Sequence, residues 1–330
     1  MKRRFLYAAM AVSLAYGAVG APVQGAQDVL ADARRDYNAG GYSRAVDAVT
    51  GAIAKSPEDA PLHFLLGQCY YQLREFARAI THLERAVQLE PKQSEYHDWL
   101  GKSYGRKAEE SVFLGAISWA RRTHKEFEAA VQLDPSNFEA QRDLIRFEMN
   151  APGFVGGGDD KAQKHIADLE KIDALQGQLA RGEFLATKKR MAEADAVFAK
   201  ILESNSNRIG VYFEAADYYR DRMNADQMGQ AIAAAEHIDP NDRRLKFYKG
   251  ILLVINRQDP GQAESLLKSY LATVPNHSDL PPHATAREWL GKLYESQGKF
   301  SEAADEYRKS LDLDPQNKAV QEALKRAQGK

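Results

Sequence analysis

A chain of 330 residues with a single cysteine, Cys69, cannot close an intramolecular disulfide, so its stability has to come from packing. An excess of charge of one sign is also missing. Lys and Arg number 45 against 46 Asp and Glu, which leaves no global basic field to draw the chain to nucleic acid and no acidic tail. No nucleic-acid partner is expected. Long apolar runs are scarce, and the one at the start is short: Lys2, Arg3 and Arg4 precede an uncharged stretch from Phe5 to about Gly20 that ends in small residues. That is the pattern of a secretory signal peptide. Residues 1–25 are expected to be removed near Val23-Gln24-Gly25, leaving a mildly acidic periplasmic or secreted product with no membrane span; the alternative, a retained anchor, needs about 20 apolar residues. No cysteine stands at the cleavage site to carry a lipid.

Catalytic constellations are absent too. The eight histidines (His63, His82, His97, His124, His165, His237, His277, His283) show no HExxH or paired metal spacing, and there is no G-x-S-x-G elbow. Cys69, in the apolar context GQCYY, reads as a small core residue. No catalytic residue, metal or cofactor is expected, and the protein is read as a non-enzyme.

What the sequence does contain is an internal repeat. Residues 60–93 place Leu66-Gly67, Tyr70, Ala79, Leu83, Ala86 and Pro91 at spacings that return along the chain. Small residues at Gly67, Ala79 and Ala86 let two helices approach, larger apolar residues fill the gaps, and the proline starts the next unit. The frame is found near 26–59 (Tyr42, Ala45, Ala52, Pro57), 94–137 (Leu100-Gly101, Tyr104, Phe127, Ala130, Pro135), 175–208 (Gly182, Ala194, Phe198) and 209–242 (Ala216, Tyr219, Ala235, Pro240). It continues at 243–275 (Gly250, Ala263, Pro275) and 284–317 (Leu290-Gly291, Tyr294, Ala303, Tyr307, Pro315), with a degenerate unit at 138–174 (Ala162, Ile166, Leu169). The stretches QLEP, QLDP, HIDP and DLDP mark four of the unit ends.

This spacing resembles the 34-residue tetratricopeptide repeat. The resemblance implies an all-α superhelical solenoid of about eight helix-turn-helix units over 26–317, with 318–330 as a C-terminal capping helix. It also implies a concave groove lined by the first helix of each unit. By the family's geometry, Phe64, Gln68, Tyr71 and Gln72 of the second unit, Asp98, Lys102 and Arg106 of the third, Arg142, Arg146, Met149 and Asn150 of the fourth, and Phe213, Asp217, Arg220 and Asp221 of the sixth point into it. Phe64, Gln68, Tyr71, Lys102, Arg106, Arg142, Arg146 and Asn150 form the candidate site, with guanidinium groups gripping the carboxylates of an anionic or C-terminal peptide and rings covering apolar side chains. The competing reading is a set of solvated helix faces. The Lys/Asn pattern by which some members clamp cytosolic chaperone tails is not reproduced, because Gln68 and Gln72 stand where asparagine would be wanted.

Two irregularities stand out. The third unit carries ten extra residues, with Phe113, Ile117, Ala120, Phe127 and Val131 at helix-compatible spacing; packing on the neighbouring unit is the favoured cover, and a protruding contact built on Trp119, Arg121, Arg122 and Lys125 is the alternative. The fourth unit is interrupted by APGFVGGGDD (151–160), which resembles an interruption seen in exported bacterial proteins of this repeat type. Without a preceding strand or a Gly-Lys-Ser/Thr ending it reads as a lengthened turn capped by Asp159 or Asp160. The expected function is a peptide- or envelope-protein-binding scaffold; the alternatives are a holdase-type chaperone and an enzyme or small-ligand binder centred on the glycine loop. The oligomeric state is left open.

Overall fold

The computed structural model describes residues 24–329, and among these it contains α-helices, one 3₁₀ turn and no strand. The expected leader, residues 1–25, lies outside the described residues but for its last two. The helices form successive hairpin pairs: α1 (Gln24–Asn38) with α2 (Tyr42–Ile53), α3 (Ala60–Gln72) with α4 (Phe76–Leu89), α5 (Ser94–Glu110) with α6 (Leu114–Leu133) and α7 (Phe138–Asn150) with α8 (Asp159–Ile172). There follow α9 (Ala174–Thr187) with α10 (Met191–Glu203), α11 (Ile209–Asp221) with α12 (Ala225–Ile238), α13 (Leu245–Asn256) with α14 (Pro260–Thr273) and α15 (His283–Ser296) with α16 (Phe300–Leu313). α17 (Lys318–Gln328) closes the stack, burying Val320, Ala323 and Ala327. The protein is an all-α solenoid of eight such pairs and a capping helix.

Five of the eight pairs are held close at one point by a glycine of the first helix. A Cβ added to Gly67 would lie 2.5 Å from the Leu83 side chain, to Gly101 2.6 Å from Phe127, to Gly182 2.7 Å from Phe198, to Gly250 2.8 Å from Leu267 and to Gly291 2.4 Å from Tyr307. The first helix gives up its side chain so that a large one from the second can lie against its backbone. Five of the eight pairs end on a proline two residues beyond the second helix, at Pro91, Pro135, Pro240, Pro275 and Pro315, where the missing N–H forbids another turn. The freed carbonyls are then used. His63 bonds the Pro57 carbonyl at 3.2 Å, His97 that of Pro91 at 3.0 Å, and the Gln141 and Gln321 amides donate to Pro135 and Pro315 at 3.1 and 2.8 Å. Two of the histidines therefore tie one unit to the next.

The core has no single centre. Buried clusters run end to end from Ala33 to Tyr104, from Ile145 to Phe184, from Leu179 to Leu293 and from Tyr294 to Ala327, as expected where each unit packs only on its neighbours. Cys69 lies fully inside the first cluster, and burial pushes its thiol up to about 12.

The third pair corrects one expectation. Ile117, Ala120, Phe127 and Val131 lie on one helix, α6, but Phe113 does not, because the chain turns at 111–113; the extra residues lengthen both helices, α5 having 17 residues and α6 20 against 13 and 14 in α3 and α4. Phe113 belongs to the turn and is 88% exposed, flanked by Val112 and Leu114. Trp119 packs on Tyr104 of its own pair at 5.4 Å, with the Arg122 guanidinium 4.9 Å from its ring.

The glycine loop supplies the cover that α6 needs. After Pro152 the chain makes a 3₁₀ turn over Gly153–Val155, burying Val155, and Arg121 donates to the Phe154 carbonyl at 3.3 Å. Gly156 has φ +116° and lies against the His124 ring, where a Cβ would come within 2.5 Å. Beneath the loop the buried Glu148 accepts from His165 Nδ1 at 2.8 Å, with His124 Nε2 3.6 Å from its other oxygen. Burial opposes ionisation of Glu148, but the two histidines more than offset this and hold its carboxyl below the ordinary range.

Gly291→Ala is expected to destabilise the protein by about 1–3 kcal/mol through overpacking against Tyr307, whereas Gly51→Ala, with nothing within 4 Å of the new methyl, should stabilise it by about 0.5–1 kcal/mol; urea unfolding followed by circular dichroism checks both. Because the Glu148 carboxyl is lowered in the folded state, its contribution is present above the ordinary glutamate value of about 4.3 and lost as pH falls below it. The stability gap between wild type and Glu148→Gln should narrow between pH 6 and pH 3.

Candidate peptide-binding cleft

The first helices of the fourth, fifth and sixth pairs lie side by side, and helical spacing puts their long polar side chains on one wall. Arg142 and Arg146 come from α7, Leu179 and Glu183 from α9, and Glu214, Asp217, Tyr218 and Asp221 from α11, at i, i+3, i+4 and i+7. Together with Phe198 of α10 they line a cleft of about 420 Å³. Its floor is apolar: the Phe198 and Tyr218 rings stack at 4.0 Å with 12° between planes, and the Tyr218 hydroxyl is tied to Asp195 at 2.6 Å.

The cations of this wall are already paired. Arg142 bonds Glu214, and its other terminal nitrogen is 3.8 Å from Glu183; Arg146 donates to Glu183 at 2.7 Å. Lys102 sits among three carboxylates, Asp98 at 2.8 Å, Asp143 at 3.2 Å and Glu139 at 3.7 Å. Arg220 holds Asp217 at 2.5 Å and Asp221 at 2.8 Å. At the cleft itself Arg142, Arg146 and Arg220 meet Glu183, Glu214, Asp217 and Asp221, a formal excess of one negative charge, and the Lys102 cluster beside it carries two more.

Protonation follows from the same geometry. Desolvation pushes the Asp217 carboxyl up to about 6, with Asp221 and Glu214 adding to the shift and Arg220 and the Tyr248 hydroxyl, at 2.9 Å, opposing it. Burial likewise raises Asp98, whose Oδ1 is buried without a hydrogen-bond partner among the described residues. Burial alone would lower the Lys102 ammonium, but Asp143, Asp98 and Glu139 reverse this and hold it charged.

The residues expected to form one site are divided among several places. Arg142 and Arg146 line the cleft. Tyr71 and Arg106 line a different hollow of about 380 Å³ near the start of the chain, where Arg106 pairs with Glu109 at 2.5 Å and lies 5.4 Å from the Phe76 ring. Lys102 lies between them, neutralised as described. Phe64 and Gln68 are not groove-facing surface at all: each is 3% exposed, Phe64 stacked on Tyr96 at 4.4 Å and Gln68 accepting from Arg34 at 2.6 Å. They join adjacent units. Asn150 ends α7 and donates to the Arg146 carbonyl at 2.8 Å. The arginines of the expected row are held in ion pairs, in a cleft whose lining carries four carboxylates, Glu183, Glu214, Asp217 and Asp221, beside Arg142 and Arg146. Glu183, Glu214, Phe198 and Tyr218 were missed, although the i, i+3, i+4 run of Glu214, Asp217 and Tyr218 on a first helix was a readable signal.

Among the described residues no group of three His, Cys, Asp or Glu side chains is arranged to hold a metal ion, and no helix is long and apolar enough to cross a membrane.

Models of the tetratricopeptide repeat match residues 37–102 and 248–318. Intraflagellar transport protein 70A of Bos taurus is 23% identical over 203 residues, covering 59% of this chain and 29% of that protein. RNA polymerase II-associated protein 3 of Xenopus tropicalis is 22% identical over 201 residues, covering 60% and 27%. The aligned region thus spans less than a third of either relative. Among solved structures, a tetratricopeptide repeat protein from Parabacteroides merdae is 14% identical, with a TM-score of 0.46 over 93% of this chain and 100% of that one. Residues 37–102 and 248–318 are thus tetratricopeptide repeats, and helix pairs of the same kind fill the interval between them.

Proposed function

We propose that this protein is a non-catalytic binding scaffold, exported to the periplasm or secreted, which holds an extended segment of a partner protein in the cleft between α7, α9 and α11. The observation that carries the reading is the combination of a stacked Phe198–Tyr218 floor with a carboxylate-rich rim. A segment bearing Lys or Arg beside an apolar side chain fits both: the apolar group covers the rings, and the cation meets the excess negative charge. An anionic segment, favoured by the sequence, would have to displace Glu214 and Glu183 from Arg142 and Arg146 and then sit among the remaining acids. Export rests on the basic-then-apolar pattern of residues 1–25, and the binding role is supported by the repeat family.

Fluorescence anisotropy with labelled decapeptides tests the cleft. Peptides carrying Lys and one aromatic residue should bind at least about tenfold tighter than Glu-bearing counterparts, should weaken as salt rises, and should lose about tenfold, or ~1.4 kcal/mol, with Asp217→Asn and Asp221→Asn combined. Equal or tighter binding of the acidic peptides, or indifference to the double substitution, overturns the reading. Fusing residues 1–25 to a reporter that is active only after export tests the localisation separately.

A further inference from the structure

The superhelix comes round far enough for its beginning to meet its end. The link between α14 and α15, Val274 to Pro282, has nine residues where the other links between pairs have one to six; Pro275 stands at one end and Pro281 and Pro282 at the other, and between them a turn is closed by the Leu280 N–H donating to the His277 carbonyl at 3.0 Å. It lies against the intra-pair turn of the first pair and the ends of α1 and α3. The Tyr42 hydroxyl donates to the Asn276 carbonyl at 2.9 Å. The Gln72 amide does two things at once: its NH2 donates to Ser278 Oγ at 2.8 Å, and its carbonyl accepts from the Ser278 backbone N–H at 3.2 Å. The same amide donates to the Tyr37 hydroxyl at 3.1 Å, which fixes its orientation.

Shape completes the fit. The His277 ring meets Tyr37 edge to face at 4.9 Å and lies 6.2 Å from Tyr42. Pro275 sits so close to Gly40, itself at φ +78°, that a Cβ there would come within 2.7 Å of the proline ring. Alongside, Arg74 donates to the Leu313 carbonyl at 3.0 Å. A side-chain amide pairing with main chain, a ring seated between rings and a glycine beneath a proline together recognise a turn of polypeptide by both its backbone and its side chains. The fit is also incomplete: the 380 Å³ hollow between the link and Tyr71, Phe76 and Arg106 stays open, and Asn276, Ser278 and Asp279 are exposed. Hydrogen bonds at such a rim exchange readily with water.

The geometry points to a second binding surface, distinct from the acidic cleft: the rim of the first two pairs is a recognition site for a proline-bracketed turn of polypeptide, filled in cis by Val274–Pro282. That segment is a releasable clasp on the superhelical turn. The ligand class is a proline-bracketed turn in which an imidazole precedes a small hydroxyl residue, and a partner segment of this chemistry competes with the clasp. Protonation works against docking. Desolvation between Tyr37 and Tyr42 lowers His277; Asp279, 3.4 Å away, and the more distant Glu139 oppose the shift, while Arg243 adds to it. The docked ring is therefore neutral, and docking strength is whole above the ordinary imidazole value of about 6.5 and is lost as pH falls below it.

The test replaces residues 274–282 with a nine-residue Gly-Ser linker and measures binding of a fluorescein-labelled peptide of residues 273–283, TVPNHSDLPPH, by anisotropy. At pH 7.5 the linker variant should bind at least about tenfold tighter than the wild type, Gln72→Ala in the linker variant should remove about tenfold of that affinity, and binding should weaken several-fold at pH 5.5. Circular dichroism verifies that both variants keep their helices. No binding to the linker variant, equal binding to both proteins, or indifference to Gln72→Ala overturns the proposal; an affinity unchanged by pH overturns the role of His277. Hydrogen exchange of the wild type gives an independent measurement: the Ser278 amide should be protected and should lose protection in Gln72→Ala, and fast exchange in the wild type overturns the clasp.

Discussion

The rest of the structure depends on how closely the two helices of a pair can approach. That distance is set where a first-helix glycine lies under a large second-helix side chain, as Gly67 does under Leu83 and Gly291 under Tyr307. The glycine removes a side chain that would hold the backbones apart, and the leucine or aromatic ring regains the lost apolar contact. Because the contact is made at the same place in successive pairs, the pairs have similar shapes and can stack on one another. Stacking then aligns the first helices into a wall. The proline ends serve the same geometry by stopping the second helix and freeing a carbonyl for the next unit to bond.

The wall shows why charge read along a chain differs from charge in a fold. Arg142 and Arg146 are one helical turn apart and look like a cationic row, but their neighbours in space come from α9 and α11, 37 to 72 residues away. Each guanidinium meets a carboxylate there. Removing charges from water is costly unless they are paired, so a half-buried concave wall carries its cations as ion pairs, and the surplus is acidic. The proposed binding chemistry rests on that surplus and on the stacked rings beneath it.

The two irregular stretches turn out to be one device. The lengthened α5–α6 hairpin projects a helix face that its own pair cannot cover, and the glycine loop of the next pair lies on it, with Gly156 against His124 and Val155 turned inward. The glycines are needed for close approach and positive φ, not for phosphate binding. The long link before α15 plays a comparable part at a larger scale, crossing from the end of the superhelical turn to its beginning.

Much of the fold was legible because a repeat is a local code read many times. Gly67 and Leu83 are 16 residues apart, as are Gly182 and Phe198, and Gly291 and Tyr307; Gly101 and Phe127 are separated by 26, the same interval plus the ten inserted residues. The all-α class, the pairing of helices and the terminal cap follow from that periodicity and from apolar patterning. Less of the candidate site could be read. Phe64 and Gln68 occupy groove positions in the frame but are buried by Tyr96 and Arg34 of adjacent units, and the cleft's carboxylates are sequence-distant from the arginines they neutralise. By itself the sequence determined which helices form and how each pair locks, because those contacts lie within one repeat. Only the tertiary structure decided which charges remain unpaired, what covers α6 and where Val274–Pro282 lies, because those depend on how many units stack and how far the superhelix turns before its ends meet.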